Sequence, residues 1–367
     1  MKSEFVVLTP RSLHAFRRSL LAWFGKHRRD FPWRSSHDSY RVWIAEIMLQ
    51  QTRIAAVLPY YDRFLRKFPS VEALARGREH EVLKLWSGLG YYSRARNLHR
   101  AAKEIVARHG GIFPREIDSA LALPGIGKYT AAAVLSISYD VPLAVLDGNV
   151  ARVLSRIHAL RGDLREPGRW RQLSELSQNL LAQESPGDWN QALMELGETI
   201  CTPLSPGCEI CPVARWCRAR AEGLQREIPA PRRKRAPVNV KIAAAILCDP
   251  LGNTLLVRDP GAHDDVLFSR LWQFPAAEVT RNAKTELAAH LRATLDIHPD
   301  SLEALPPASH GVTFRNITLL PFLARVASLP TRARTRILPL HRLRRLPVSS
   351  ATHKIAAAMP VGFSPAT

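Results

Sequence analysis

The chain has 367 residues, 46% of them apolar, a length too great for one ordinary core and enough for two domains. Its 52 basic side chains against 32 acidic ones leave a net charge of +20, which points to a polyanion, nucleic acid before any other. No apolar run approaches the roughly 18 residues of a spanning helix, and the N-terminus offers only a four-residue apolar stretch, so neither a membrane partner nor an export signal is expected.

From about Ser12 to Glu222 apolar residues recur at three- and four-residue steps, as in Val150, Val153, Leu154 and Ile157, which predicts a mostly helical domain over residues 1–225. Early in it stand Phe31, Trp33, Arg34, Gln50 and Gln51, with Tyr91 and Tyr92 further on. Such aromatic and amide groups wedge into a duplex when a base is extruded, although packing explains each one singly. In VWIAEIMLQQT, residues 42–52, Glu46 is the only charge in the apolar run from Val42 to Leu49. Burial there raises a carboxyl pKa, which suits a general acid near neutral pH; a structural ion pair with Arg41 or Arg53 is the alternative.

In LPGIGKYTAAAVL, residues 123–135, Gly125 and Gly127 flank one apolar residue ahead of a helix that starts near Lys128. The glycines permit a tight turn with exposed N–H groups, and the helix adds its positive end, so a phosphate is the natural guest. A plain turn explains the two glycines equally well. Beside the charge of +20, the segment predicts a helix–hairpin–helix that grips DNA backbone. Asp147, ahead of Gly-Asn and an amphipathic helix, is either a helix cap or the second, ionised carboxylate that cleavage of a sugar–base bond calls for.

Cys201, Cys208, Cys211 and Cys217 follow the spacing C-x6-C-x2-C-x5-C in a loop with three prolines and one glycine. Four thiolates so gathered ligate a zinc ion or an iron–sulfur cube, which the spacing alone does not separate, and four reduced thiols without metal are the third reading. Clustered thiols imply a reducing interior, so a cytoplasmic location is expected. The fifth cysteine, Cys248, lies in the apolar run IAAAILC and reads as a buried core thiol.

Residues 226–238 form a basic, proline-rich linker whose run Arg232–Arg235 either rides on phosphates or stays solvated. Residues 239–367 read as an α+β domain. Two strands meet at a turn over Asp249–Asn253, a helix covers Ala283–Leu295, and a second β-run covers Gly311–Val326.

The segments FPWR (31–34), VWIAEIMLQQT (42–52), GLGYYSRARNL (88–98), LPGIGKYTAAAVL (123–135), LDGNVARVLSR (146–156), NQALMELG (190–197) and the cysteine quartet together resemble the MutY-type adenine DNA glycosylases, within the helix–hairpin–helix glycosylase superfamily. The resemblance runs from about Ala22 to Glu222 and more loosely beyond. It implies a fold of two helical subdomains with an iron–sulfur loop, followed by a Nudix-like C-terminal domain. It also implies a [4Fe–4S] cluster, a monomer, and base excision repair on double-stranded DNA carrying adenine opposite 8-oxoguanine, and opposite guanine as well. Residue by residue, it makes Glu46 the acid that protonates the flipped adenine at N7 and Asp147 the stabiliser of the oxocarbenium-like sugar. Gln191 and Arg34 become adenine-pocket residues with Trp33 as a wall, while Leu49, Gln51 and Tyr91 enter the duplex.

Tyr129 stands where endonuclease-III-like relatives place a nucleophilic lysine, and Lys128 is one residue early, about 100° away around a helix. A monofunctional glycosylase is therefore expected. Ser309 and His310 fall on the segment that reports 8-oxoguanine, with Ala308 where the family often has Phe; an ordinary strand histidine is the alternative for His310. Glu278, Glu286 and Asp296 lie too far apart for a magnesium-holding helix face, so binding without diphosphate hydrolysis is expected of this domain. Two other functions stand beside the leading one: a damaged-pyrimidine glycosylase with lyase activity, and a non-catalytic DNA-lesion binder.

Overall fold

The computed structural model describes residues 8–164, 166–230, 236–258, 271–312 and 314–360. The whole basic run Arg232–Arg235 lies outside the described residues. The chain divides into two compact units, Met1–Arg76 with Asn97–Arg233, and Gly77–Arg96 with Lys234–Thr367. Segment 77–96, which the sequence places inside the helical domain, thus groups with the second unit, where Ser87 and Tyr92 hydrogen-bond the carbonyl of Val348.

The helices before the linker are α1 (Pro10–His27), α2 (Ser39–Leu49), α3 (Ile54–Lys67), α4 (Val71–Arg76), α5 (Glu79–Trp86), α6 (Tyr92–His109), α7 (Ile117–Leu121), α8 (Lys128–Tyr139), α9 (Gly148–Ile157), α10 (Pro167–Leu180), α11 (Pro186–Thr199) and α12 (Arg218–Ala221). Among the described residues no helix is long and apolar enough to cross a membrane. Helix α2 starts where Asp38 accepts from the N–H groups of Tyr40 and Arg41. Every residue from Val42 to Met48 is then buried, as a helix with apolar residues on nearly all sides must be. Helix α8 is alike, buried from Thr130 to Ile137, and packs on α2.

Helix α11 approaches α8 closely. A Cβ on Gly187 would stand 2.7 Å from the Ser136 carbonyl oxygen and 2.9 Å from Ile137 Cα, both backbone atoms. Gly187→Ala would gain about 1 kcal/mol of helix propensity but must push the α11 and α8 backbones apart. We expect a net loss of about 1–2 kcal/mol, read as a lower urea midpoint. Gly168→Ala, at the same position of α10, is the control, since nothing lies within 4 Å of its added Cβ.

The second unit holds β1 (Val238–Cys248), β2 (Asn253–Arg258), β3 (Trp272–Gln273), β4 (Ala276–Glu278), α13 (Ala283–Leu295), β5 (Glu303–Ala304), β6 (Ala308–Val312), β7 (Arg315–Arg325), β8 (Thr335–Pro339) and α14 (Ser350–Ala357). The sheet runs β3-β2-β1-β7-β5, with β4 on β1, β6 on β7 and β8 on β2. Strand β1 pairs parallel to β7 from Val238↔Arg315 to Cys248↔Arg325. One face of β1 (Ala243, Ala245, Leu247) packs with Leu287, Leu291 and Leu295 of α13. The other (Ala244, Ile246, Cys248) packs with Ala351 and Ile355 of α14. Burial on both faces explains the unbroken apolar run AAAILC and leaves Cys248 a core thiol, its pKa pushed up by burial to about 11.

The expected strands, turn and helix are present, and Asp249 Oδ1 builds the turn by accepting from the N–H groups of Leu251 and Asn253. The expected run Gly311–Val326 is instead divided between two antiparallel strands, β6 and β7, paired from Ala308↔Leu319 to Val312↔Arg315. Thr313 and Phe314, between them, carry no Asn-Gly or Asp-Gly signal to mark the reversal.

Candidate active site

Glu46 sits on the wholly buried stretch of α2 at 6% exposure. Burial raises its pKa to about 7; a hydrogen bond from Tyr129 draws it down, nearby Asp147 pushes it up, and Arg34 draws it down again. Neither alternative ion pair forms among the described residues: Arg41 turns to Asp38 at 3.6 Å, and Arg53 lines the cavity in front of Glu46 without pairing to it. Burial and the Glu46 carboxyl raise the phenol of Tyr129 far above its ordinary range, so Tyr129 remains a neutral donor.

Asp147 is the helix cap, one of the two readings the sequence left open, and its place beside Glu46 bears on the other. Its Oδ1 caps α9, 2.7 Å from the Val150 N–H, and the residue also lines the cavity that Glu46 faces. Desolvation raises its pKa, while backbone N–H groups of Val150 and Asn149 favour its charged form. The approach to Asp147 is fixed by the fully buried Asn190 of α11. Its Nδ2 donates to Ser136 Oγ and Leu143 O, both at 2.8 Å, and its Oδ1 accepts from Val145 N at 3.1 Å.

The cavity measures about 580 Å³, inside the range of ligand-binding clefts. It brings together nine of the residues singled out in the sequence: Phe31, Trp33, Arg34, Glu46, Leu49, Gln51, Tyr129, Asp147 and Gln191. Trp33 stacks on Phe31 with ring centroids 5.0 Å apart. Sequence reasoning missed Arg29, Asn149, Met194, Glu195 and Glu198, which also line it. Three of these lie three, four and seven residues after Gln191 on α11, the spacing of one helix face, which was the available signal. Glu195, 1% exposed, holds two arginines at once: it accepts from Arg34 Nη2 at 2.9 Å and pairs with Arg29, which also pairs with Glu198.

Gly125, Gly127 and Lys128 are outside the cavity, exposed in the turn that opens α8. Gly125 has φ +78°, and a Cβ there would stand 2.7 Å from Asn97 Cβ, so only glycine fits. No side chain caps α8 at Gly127, so the first-turn N–H groups are available to an anion.

The four clustered cysteines line one small cavity, with Arg156 among its walls. Cys201 follows Ile200, the C-cap of α11, and Arg156 of α9 donates to Thr202 O at 2.7 Å, Pro203 O at 3.0 Å and Cys201 Sγ at 3.3 Å. Helix α9 therefore presents Asp147 at one end and braces the cysteine loop from its other turns. Burial raises the thiols of Cys208, Cys211 (to about 12) and Cys217, and neighbouring cysteines add to it; a cationic centre would reverse that preference, so the donor set fits a metal group. Among the described residues no three His, Cys, Asp or Glu groups stand close enough to hold a single ion.

Tyr91, Ser309 and His310 belong to the second unit. Tyr91, 41% exposed, adopts a left-handed φ of +49°. Ser309 and His310 are adjacent on β6, so they face opposite sides of the strand: Ser309 is exposed, and His310 is half-buried on the side of Ala308 and Val312. Burial, and then Lys354, lower the His310 pKa, keeping the ring neutral. Ala308 packs against the core. Glu286 is spent on the N–H groups of Thr280 and Arg281, which removes it from any carboxylate pair.

Residues 44–178 match the HhH-GPD superfamily of base excision DNA repair proteins. The adenine DNA glycosylase of Rattus norvegicus is 46% identical over 214 residues, 56% of this chain but only 42% of the rat protein. That of Buchnera aphidicola subsp. Acyrthosiphon pisum (strain APS) is 39% identical over 210 residues, 57% of this chain and 60% of that one. The chain thus matches less than two thirds of the length of either relative. The structure of a thermostable thymine-DNA glycosylase aligns over its whole length with 59% of this chain, at 30% identity and a TM-score of 0.53. With its helical fold, its buried carboxyl and these matches together, the chain belongs to the HhH-GPD superfamily of base excision DNA repair proteins.

Proposed function

We propose that the chain is an adenine DNA glycosylase that removes adenine opposite 8-oxoguanine, and opposite guanine, in base excision repair. The observation that carries this reading is Glu46: a buried carboxyl with its pKa near 7, facing a cavity with room for a purine and shared with Asp147. The charge of +20 favours the DNA encounter, more strongly at low salt. The turn at Gly125–Lys128 and the cysteine loop take backbone phosphates. Leu49, Gln51 and Tyr91 enter the duplex, and the extruded adenine lies against Trp33 within reach of Arg34 and Gln191.

Glu46 gives its proton to N7, and the bond from the sugar carbon to N9 breaks with its electron pair leaving on adenine. Asp147, ionised, faces the positive sugar. The Glu46 carboxylate then takes a proton from the water that adds to the sugar carbon. Tyr129 occupies the cavity wall and Lys128 does not, which supports hydrolysis without a Schiff base.

Cys201, Cys208, Cys211 and Cys217 would hold a [4Fe–4S] cluster, whose chemistry here is to cross-link the loop. Purified protein should carry iron and sulfide in equal amounts, about four each per chain, with both lost in Cys211→Ser; zinc in their place would overturn the cluster. The second unit is read as a Nudix-like module that senses the opposite base through Ser309 and His310 without hydrolysing diphosphates.

The decisive experiment uses duplexes with adenine opposite 8-oxoguanine, guanine or cytosine. Strand breakage only after alkali, fastest opposite 8-oxoguanine, is expected. No breakage would leave a lesion binder, and cutting of an oxidised-pyrimidine duplex without alkali would make the chain a lyase.

A further inference from the structure

Tyr91 is held in its strained left-handed conformation by a relay of hydrogen bonds. The N–H of Gly88 donates to the Tyr92 hydroxyl at 3.1 Å, and that hydroxyl donates to the Val348 carbonyl at 2.9 Å. The Ser87 hydroxyl donates to the same carbonyl at 2.6 Å. One carbonyl oxygen therefore accepts from both flanks of the turn that presents Tyr91. Within the turn, Trp86 Nε1 donates to Gly90 O at 3.1 Å, and the Arg94 guanidinium lies over the rings of both Trp86 and Tyr91, 5.4 Å from each centroid. The turn is thus braced from within and tied to the Val348 carbonyl from both flanks.

That point is itself fixed. Val348 is fully buried and bridges Trp272, whose N–H donates to Pro347 O at 3.0 Å. The next residue, Ser349, caps α14. One turn along α14, Lys354 Nζ donates to the backbone carbonyl of Ser309 at 2.6 Å. Seven residues, 348–354, therefore touch both segments assigned to sensing the base opposite adenine.

We propose that Val348–Lys354 is a shared mount for the two sensing segments, and that Tyr92 and Ser87 are positioning residues that set Tyr91 for insertion beside the opposite base. Sensing by the turn and by β6 is then linked through one rigid element. The proposal rests on the assignment of Tyr91 and β6 to opposite-base sensing given above.

Tyr92→Phe tests it, because the ring stays and only the relay hydroxyl is lost. Hydrogen exchange over residues 86–94 should accelerate roughly threefold to tenfold, the worth of one or two such bonds. The ratio of single-turnover adenine release opposite 8-oxoguanine to that opposite guanine should fall by a similar factor. In a Tyr91→Ala background, Tyr92→Phe should leave that ratio unmoved, since its effect passes through Tyr91; a merely structural role would lower release from both duplexes alike. Ser87→Ala, which removes one of the two bonds to Val348, serves if Tyr92→Phe does not fold. Unchanged exchange, or an undiminished ratio in a wild-type chain that does discriminate, overturns the mount alone. A wild-type chain that releases no adenine overturns the assigned reaction and the sensing role of the mount together, whatever the exchange rates show.

Discussion

Glu46→Gln is expected to lower single-turnover release of adenine by about 10²–10⁴-fold, the usual contribution of a positioned general acid, with binding to the duplex retained. The amide keeps the size of the side chain but has no acidic proton to give. In the wild type the rate should fall as pH rises past about 7, where Glu46 ionises. The same shift has a consequence for stability. The unfolded chain ionises Glu46 near 4.5, whereas the fold keeps the proton to about 7, so the folded state binds more protons in that window. Stability therefore declines as pH rises through it and levels off above. Glu46→Gln escapes this decline and should be the more stable protein at pH 8, by up to about 3 kcal/mol, with little difference at pH 4. Denaturant midpoints at the two pH values check it. A variant with near-normal release, or no extra stability at pH 8, would remove Glu46 from the role of acid.

The features of this site that were legible in the sequence are those where one residue breaks a local pattern. Glu46 interrupts an apolar helix, and in a chain that buries all sides of α2 such a residue has nowhere else to go. The Gly125 turn and the cysteine spacing were visible for the same reason, since each demands residue types that no regular element would choose. Glu195 and Glu198 were easily passed over, because apart from their spacing from Gln191 they look like ordinary charges in the last turns of α11. Only packing shows that Glu195 faces inward to Arg29 and Arg34. Segment 77–96 is helical in pattern, and the hydrogen bonds of Ser87 and Tyr92 to a backbone carbonyl about 260 residues away in sequence are contacts that no side-chain pattern announces. In β6 the alternation of the strand decided what the motif did not: Ser309 and His310 are neighbours in sequence but present themselves to opposite faces.

Asp147 offers the second large effect, because its two properties separate under substitution. Asp147→Asn retains a side-chain oxygen for the Val150 N–H, so the cap on α9 survives while the negative charge is lost. Asp147→Ala loses both, and the missing cap alone should cost about 1 kcal/mol of stability. If the carboxylate faces the positive sugar, the two variants should lose adenine release alike, by about 10²–10³-fold, the scale on which an aligned electrostatic group acts. They should differ only in unfolding midpoint, with Asn close to wild type and Ala below it. If Asp147 serves α9 alone, the order reverses: Asn would release adenine at nearly the normal rate, and only Ala would fall, to the extent that a frayed helix misplaces Asn149 and the cavity wall. Because α9 also braces the cysteine loop through Arg152 and Arg156, a frayed first turn has a second readout in that loop, where Arg152 Nε donates to Cys201 O at 2.8 Å. Iron content should then drop in Ala and hold in Asn, so metal analysis beside the rate assay separates loss of charge from loss of the helix end.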